Sequence, residues 1–297
     1  MFKHLQVIVN PASGRDRPIL NTLHTVFKDT GLNWDVVITK AADDARRLAE
    51  EAAKSGSDVV AAYGGDGTIT EVAKGLIGTN VPLAIFPGGT ANAIALALGI
   101  PSDLAEAAAL VCRDPVKVRT VDMGQAGKRC FMVAVGLGLA GEPAEGADRE
   151  SKERLGPLAY ALASLDALRR TKVDRYYITL DGKELEESGV SCVVANMGNF
   201  GVPGVSLAPD IDMADGLLDV VVIPGAGLGI IVSAAASMAT TSVASPGNVP
   251  FPHWQARQVS IKAGTQQAIQ IDGEVMEPGP VEARVLPGAL RVIVPET

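Results

Sequence analysis

The chain has 297 residues, 47% of them hydrophobic and 20% charged, and its 26 Lys and Arg against 34 Asp and Glu give a formal net charge of −8. That balance argues against a nucleic-acid partner and against purely electrostatic docking on an anionic membrane, while the length predicts two domains, each able to bury its own core. Three cysteines, Cys112, Cys130 and Cys192, lie far apart with no Cys-x-x-Cys spacing, which reads as reduced core thiols in a cytoplasmic protein.

Met1–Leu5 enters a strand directly, without a secretory leader, so the chain is expected to stay in the cytoplasm. The strand Leu5–Val9 ends at Asn10-Pro11-Ala12-Ser13-Gly14-Arg15, a polar turn in which Asn10 and Ser13 can hydrogen-bond phosphate or ribose oxygens and Arg15 or Arg17 can neutralise charge. Asn-Pro and Ser-Gly are also plain turn formers. A helix follows, opened by Pro18, with Leu20, Leu23, Val26 and Phe27 on one face and Gly31 closing it. Trp34–Thr39 is the second strand, and a helix from near Asp43 presents Ala45, Leu48, Ala49 and Ala52 before ending at Ser55-Gly56.

The apolar run through Val59 and Val60 is broken by Gly64-Gly65-Asp66-Gly67-Thr68, and a helical segment with Glu71, Val72 and Leu76 follows. Glycines let a backbone approach a ligand closely, and the free amides that open a helix favour an anion, so this strand-to-helix turn suits a phosphate. Asp66 would repel that phosphate unless a divalent cation such as Mg²⁺ lay between them. The plainer reading is an ordinary turn with Asp66 as a helix cap. A further strand, Pro82–Phe86, leads into a second glycine turn, Pro87-Gly88-Gly89-Thr90-Ala91-Asn92. In a parallel βαβ sheet all such turns leave from the carboxyl edge, so the turns after Val9, Tyr63 and Phe86 are expected to face one crevice. The half closes with a helix over Ser102–Cys112, capped by Ser102, and a strand Val116–Val121 ended by Asp122.

Beyond Asp122 the pattern becomes mostly β, with strands at Cys130–Val135, Tyr176–Leu180, Ser191–Ala195, Leu217–Ile223, Gln258–Lys262, Gln267–Ile271, Val281–Leu286 and Leu290–Val294. Asp181-Gly182 and Asp272-Gly273 are hairpin signals, and Leu158–Arg170 has helical spacing. Val220–Ala256 carries no Asp, Glu, Lys or Arg; its serines, threonines and alanines favour a packed core helix over a membrane span, with shallow membrane contact as the alternative. The expected fold is an N-terminal Rossmann-like α/β nucleotide-binding domain over 1–122, followed by a mostly antiparallel β-sandwich domain over 123–297.

Taken together, Val9–Gly14, Gly64–Thr68 with Glu71, Pro87–Asn92, Val121–Gly124, Leu155–Tyr160, Ala208-Pro209, Asp215–Val220 and Asp272–Glu274 resemble the diacylglycerol-kinase-like lipid kinases, which include sphingosine and ceramide kinases. The resemblance implies an ATP- and Mg²⁺-dependent kinase acting on a lipid hydroxyl in a cleft between an α/β and a β-sandwich domain, at the cytoplasmic face of the membrane. By motif, ATP would be held by Asn10, Pro11, Ala12, Ser13, Gly14, Gly64, Gly65, Asp66, Gly67, Thr68, Ile69, Thr70 and Thr90, with Thr39 a further candidate. Asp66 and Asp122 would lie near catalytic Mg²⁺. Glu274, with Asp272 beside it, would be the general base, and a second Mg²⁺ would sit at Asp215 with backbone oxygens near Asp212 and Leu217. The partners implied are ATP and a lipid substrate, with no nucleic acid and homodimerisation left open.

Three departures stand out. Ala93 replaces an aspartate common after Asn92, the segment Phe131–Glu142 lacks the expected asparagine and Asp-Ala, and the chain ends at Thr297 without a longer segment returning to the first domain. Alternatives are an NAD kinase-like enzyme, which shares the Gly-Gly-Asp-Gly-Thr turn, and a catalytically silent lipid-binding regulatory protein on the same fold. Gly136-Leu-Gly138-Leu-Ala-Gly141 matches a dinucleotide fingerprint, but Pro143 interrupts the helix that should follow. No Gly-x-Ser-x-Gly and no zinc-ligand cluster is present.

Overall fold

The computed structural model describes residues 2–13, 18–138, 172–198, 207–208, 210–225 and 251–296. Gly14, Arg15 and Arg17, the predicted helix Leu158–Arg170, and residues 226–250 of the uncharged stretch lie outside the described residues. Two compact units divide the chain, Met1–Met123 with Leu286–Thr297 forming one and Gly124–Val285 the other. The expected boundary at Asp122 thus falls one residue from the observed crossing, while the C-terminal residues from Leu286 group with the first unit instead of the second.

In the first unit, β1 (His4–Val9), β2 (Asn33–Ile38), β3 (Val59–Gly64) and β4 (Leu83–Pro87) run parallel in the order β2-β1-β3-β4. The helices between them are α1 (Ile19–Phe27), α2 (Asp44–Lys54) and α3 (Asp66–Leu76). Strand β3 is buried along its whole length, as a continuous apolar run in a parallel sheet requires. Val9 lies opposite Tyr63, and Gly64 opposite Pro87, so the three strands end at one level and their turns leave from the same edge. That is the convergence expected of the parallel pattern.

The helices show where side-chain pattern and structure part. Leu23 and Phe27 are buried, but Leu20, in the first turn of α1, is 59% exposed. Asp43 precedes α2 in a left-handed conformation, and it is the Asp44 carboxylate that accepts the Lys40 and Ala41 amides, at 2.8 and 3.0 Å. A short helix, α4 (Ala93–Ala97), follows the second glycine turn and was not foreseen. The predicted Ser102–Cys112 helix is α5 (Leu104–Ala109) plus a tight turn at Leu110–Cys112, and its cap is Asp103, which accepts from the Ala105 and Glu106 amides. Strand β5 (Val118–Ala126) runs on past Asp122, which does not end it.

The second unit is built from β6 (Arg129–Phe131), β7 (Ala134–Gly138), β8 (Asp174–Leu180), β9 (Lys183–Gly189), β10 (Ser191–Ala195), β11 (Leu218–Ile223), β12 (His253–Ala256), β13 (Gln258–Ala263), β14 (Ile269–Ile271), β15 (Glu274–Met276) and the start of β16 (Val281–Ile293). One antiparallel sheet runs β16-β13-β8-β9 and the other β12-β11-β10-β7-β14-β15. Leu137, Cys192, Val194, Val220 and Val222 from the second sheet pack in one core with Tyr176, Ile178, Val259, Ile261 and Val281 from the first, which makes the unit a sandwich. The alternate residues Val193, Ala195, Val221 and Ile223 pack on the outer face with Ala208 and Phe251.

Both hairpin signals hold, since Asp181-Gly182 and Asp272-Gly273 have the paired positive φ angles (49° and 85°, 47° and 92°) of tight turns joining β8 to β9 and β14 to β15. The strands that pattern reasoning missed, β9, β12 and β15, all stand at a sheet edge; β9 is mostly polar, and β12 and β15 are only four and three residues long. The two strands expected at Val281–Leu286 and Leu290–Val294 are one, because Pro287-Gly288 bends the chain without ending it. Past that bend β16 returns to the first unit, pairing Val292 with Leu83 in parallel, so a returning C-terminal segment is present after all. Of the three free cysteines only Cys192 is fully buried.

The buried stripe of α2 is Ala45, Ala49 and Ala52, small enough for close approach to α3 at Gly75, where a Cβ would lie 2.5 Å from the Arg46 carbonyl oxygen and 2.8 Å from the Ala49 Cβ. Helix propensity would make Gly75→Ala stabilising by up to ~1 kcal/mol. The clash reverses the sign: the variant is expected to lose about 1–3 kcal/mol in chemical denaturation.

Candidate active site

In the first unit the three turns at the carboxyl edge are bonded to one another. The Asn10 amide donates to the Tyr63 carbonyl at 3.0 Å, and its side-chain Nδ2 donates to Thr68 Oγ1 at 2.9 Å, which ties the first turn to the start of α3. Asn10 Oδ1 accepts the Ala12 amide, so the same side chain also folds its own turn. The Gly88 amide donates to the Gly64 carbonyl at 2.9 Å. A Cβ on Gly89 would stand 2.6 Å from Gly65 Cα, so only glycine permits these two backbones to touch. Asn92, at φ 50°, accepts the Gly89 amide and donates to the Gly89 carbonyl, closing the second glycine turn on itself.

Asp66 does not cap its own helix. Its Oδ2 and Oδ1 accept the amides of Ala93 and Ile94 at 3.1 and 2.9 Å, so it braces the start of α4. Helix α3 itself begins after Gly65 with no side-chain cap, which leaves its opening amides to serve an anion. Thr90 is exposed on the second turn, Pro11 and Ala12 are exposed, and Ser13 and Thr39 are half-buried. Ile69 is core, with its amide bonded to the Gly65 carbonyl, whereas the buried Thr70 hydroxyl has no hydrogen-bond partner among the described residues. Asp122 is buried, and its Oδ1 accepts the Gly288 amide at 2.7 Å. Glu71, which the motif also includes, sits at the Asp43 and Ala45 amides, and burial pushes its carboxyl above the usual range.

In the second unit, Asp272 accepts three consecutive amides, those of Met132, Val133 and Ala134, at 2.8, 2.9 and 3.0 Å. This clamps the bend between β6 and β7 and explains why the strand expected over Cys130–Val135 is broken there. Glu274, next along, is exposed and pairs with Arg129 at 2.5 Å. Arg129 was not among the candidates from sequence, and only its nearness in the fold reveals it. Gly136 lies in β7 between two antiparallel neighbours, β10 and β14, which is no setting for a dinucleotide βαβ unit.

At the Asp-Gly turn, exposed Asp215 accepts the Leu217 amide with Oδ1 and the Gln255 side-chain amide with Oδ2, and Asp212 accepts the Ala214 amide. Asp219 is different from its neighbours in the turn. It is fully buried in β11 and pairs with His253 of β12 at 2.6 Å, while its other oxygen, Oδ2, is buried with no hydrogen-bond partner. Burial pushes the Asp219 carboxyl up, His253 and then the Gln255 side-chain amide offset part of that, and the nearby Asp215 charge adds to it. A charged residue inside the apolar run Leu218–Ile223 was the available signal for such a partner. Among the described residues, no group of three His, Cys, Asp or Glu side chains is placed to hold a metal ion by itself.

Residues 4–126 match the diacylglycerol kinase catalytic domain family, and residues 133–294 match the YegS C-terminal NAD kinase beta sandwich-like domain. The chain is 30% identical over 278 residues to a diacylglycerol kinase of Bacillus subtilis, covering 92% of this chain and 90% of that one. An uncharacterised protein of Synechocystis is 31% identical over 250 residues, or 83% of this chain, and the match spans 57% of that relative's own length. A solved diacylglycerol kinase structure from Bacillus anthracis is 28% identical with a TM-score of 0.79, covering 99% of this chain and 97% of that one. The chain belongs to the diacylglycerol-kinase-like family of lipid kinases.

Removing one partner of a buried hydrogen bond leaves the other unsatisfied, at a typical cost of ~1–3 kcal/mol. His253→Ala, which takes away the Asp219 Oδ1 contact, is therefore expected to lower unfolding free energy by about that amount. Adding Asp219→Asn should recover part of the loss, because the amide carries no charge to bury. Equilibrium denaturation of the three proteins checks both statements.

Proposed function

We propose that this chain transfers the γ-phosphoryl group of Mg²⁺-bound ATP to the hydroxyl of a lipid, either diacylglycerol or a sphingoid or ceramide-like alcohol, at the cytoplasmic face of a membrane. The observation that carries the reading is the joining of three strand-end turns around the uncapped start of α3. Backbone amides in such a cradle suit a triphosphate, and phosphoryl transfer needs chiefly positioning and charge neutralisation. Asn10–Ser13, Gly64–Thr68 and Thr90 hold the nucleotide. Thr70 contributes its unpartnered hydroxyl, while Ile69 supports the cradle from the core.

An oxygen-only donor set fits Mg²⁺, which binds through one or two carboxylates and keeps water and phosphate as its other ligands. Asp66 has lone pairs left after its two amide bonds, and Asp122 would be the second carboxylate toward the ion. When bound, the ion neutralises charge on the phosphates. Asp215, with oxygens of Asp212 and Leu217, is the corresponding oxygen-rich turn of the second unit. Glu274 takes the acceptor hydroxyl's proton as that oxygen bonds to the γ-phosphorus and the bond from phosphorus to the departing ADP oxygen breaks. Asp272 holds the turn that carries it. Among the described residues no helix is long and apolar enough to cross a membrane.

A radiolabelled-ATP assay against diacylglycerol, phosphatidylglycerol, sphingosine and ceramide, with NAD as control, tests the reading; label entering NAD alone replaces it. Glu274→Gln is expected to lower kcat by roughly 10²–10⁴-fold while ATP binding, followed by calorimetry, survives. Near-normal turnover in that variant removes Glu274 from the role of base.

A further inference from the structure

Arg129 and Glu274 are 145 residues apart, and two features of the fold bring them together. Strand β14 pairs with β7 so that Ile271 lies opposite Val135, and the Asp272 carboxylate holds the bend just after β6. The guanidinium Nη1 of Arg129 then donates to Glu274 Oε2. The two side chains are 50% and 62% exposed. An ion pair that open to water contributes little to stability, so folding does not account for it.

Glu274 opens a three-residue strand at the sheet's edge, and neither of its chain neighbours, exposed Gly273 and Val275, packs over it. Left alone, a glutamate there spreads over many rotamers, whereas a general base must keep its carboxylate within hydrogen-bond reach of one proton. We infer that Arg129 is a positioning residue for Glu274: it holds Oε2 and turns Oε1 toward the acceptor hydroxyl. The rigid, permanently charged fork of arginine suits that task better than the single mobile ammonium of lysine. This role rests on the reading of Glu274 as the base.

The test is a double-mutant cycle on the full chain with Arg129→Gln, Glu274→Gln and the pair, plus Arg129→Lys, reading kcat and the KM for ATP with the lipid that wild-type protein phosphorylates. Arg129→Gln is expected to lower kcat about 10-fold or more with KM for ATP within about 2-fold, since it removes alignment and not nucleotide contact. Arg129→Lys should recover part of the loss. In the Glu274→Gln background, Arg129→Gln should cost nothing further, because the group it positions is gone. An equal loss in both backgrounds, or an unchanged kcat in Arg129→Gln alone, overturns the inference while leaving Glu274 as base. Near-normal turnover in Glu274→Gln overturns the base reading itself, and the positioning role with it. Both side chains are exposed, and equal melting temperatures across the set separate catalytic loss from unfolding.

Discussion

The first unit depends on the contact between two glycine turns and on the carboxylate that locks it. Gly65 and Gly89 meet at a separation that no side chain on Gly89 would allow, and Asp66 then reaches across to the first two amides of α4. The Asp66 carboxylate is held by backbone amides at the positive end of a helix that follows the neighbouring strand. The same side chain thus fixes how the two turns meet.

The second unit is organised by buried or bonded acids in a comparable way. Asp272 collects three amides that a broken strand would otherwise leave open, and so converts a defect between β6 and β7 into a rigid platform. Asp219 lies inside an apolar strand, paired with His253 and placed near the charge of Asp215. Burying a charge with an incomplete hydrogen-bond set is a cost that a sandwich core alone does not require. Its position two residues after Leu217 ties the buried pair to the Asp-Gly turn, an oxygen-rich feature of the unit.

Much of this was legible in the sequence, for identifiable reasons. The parallel half announces itself because each fully buried strand is an apolar run and each turn carries its own glycines, so β1 to β4 and the convergence of their turns follow from pattern and topology. Hairpins with Asp-Gly turns are equally explicit. What pattern could not reach were strands whose role is edge pairing, such as β9 and β15, and a proline-glycine bend that interrupts β16 only in appearance. Side-chain duties were harder still. Asp66 as a brace for α4, Asp103 in place of Ser102 as a cap, Asp219 as a buried acid bonded to His253, and Arg129 against Glu274 all depend on which atoms arrive at the same place, which spacing along the chain does not encode.

The account stands or falls on where a triphosphate binds. Amide hydrogen exchange of the full chain, with and without a non-hydrolysable ATP analogue and Mg²⁺, measures that directly. The predicted result is slowed exchange at Asn10–Ser13, at the amides opening α3 after Gly65, and across Gly88–Asn92, all saturating at one analogue concentration. Unchanged exchange in all three turns at an analogue concentration that saturates binding would contradict it.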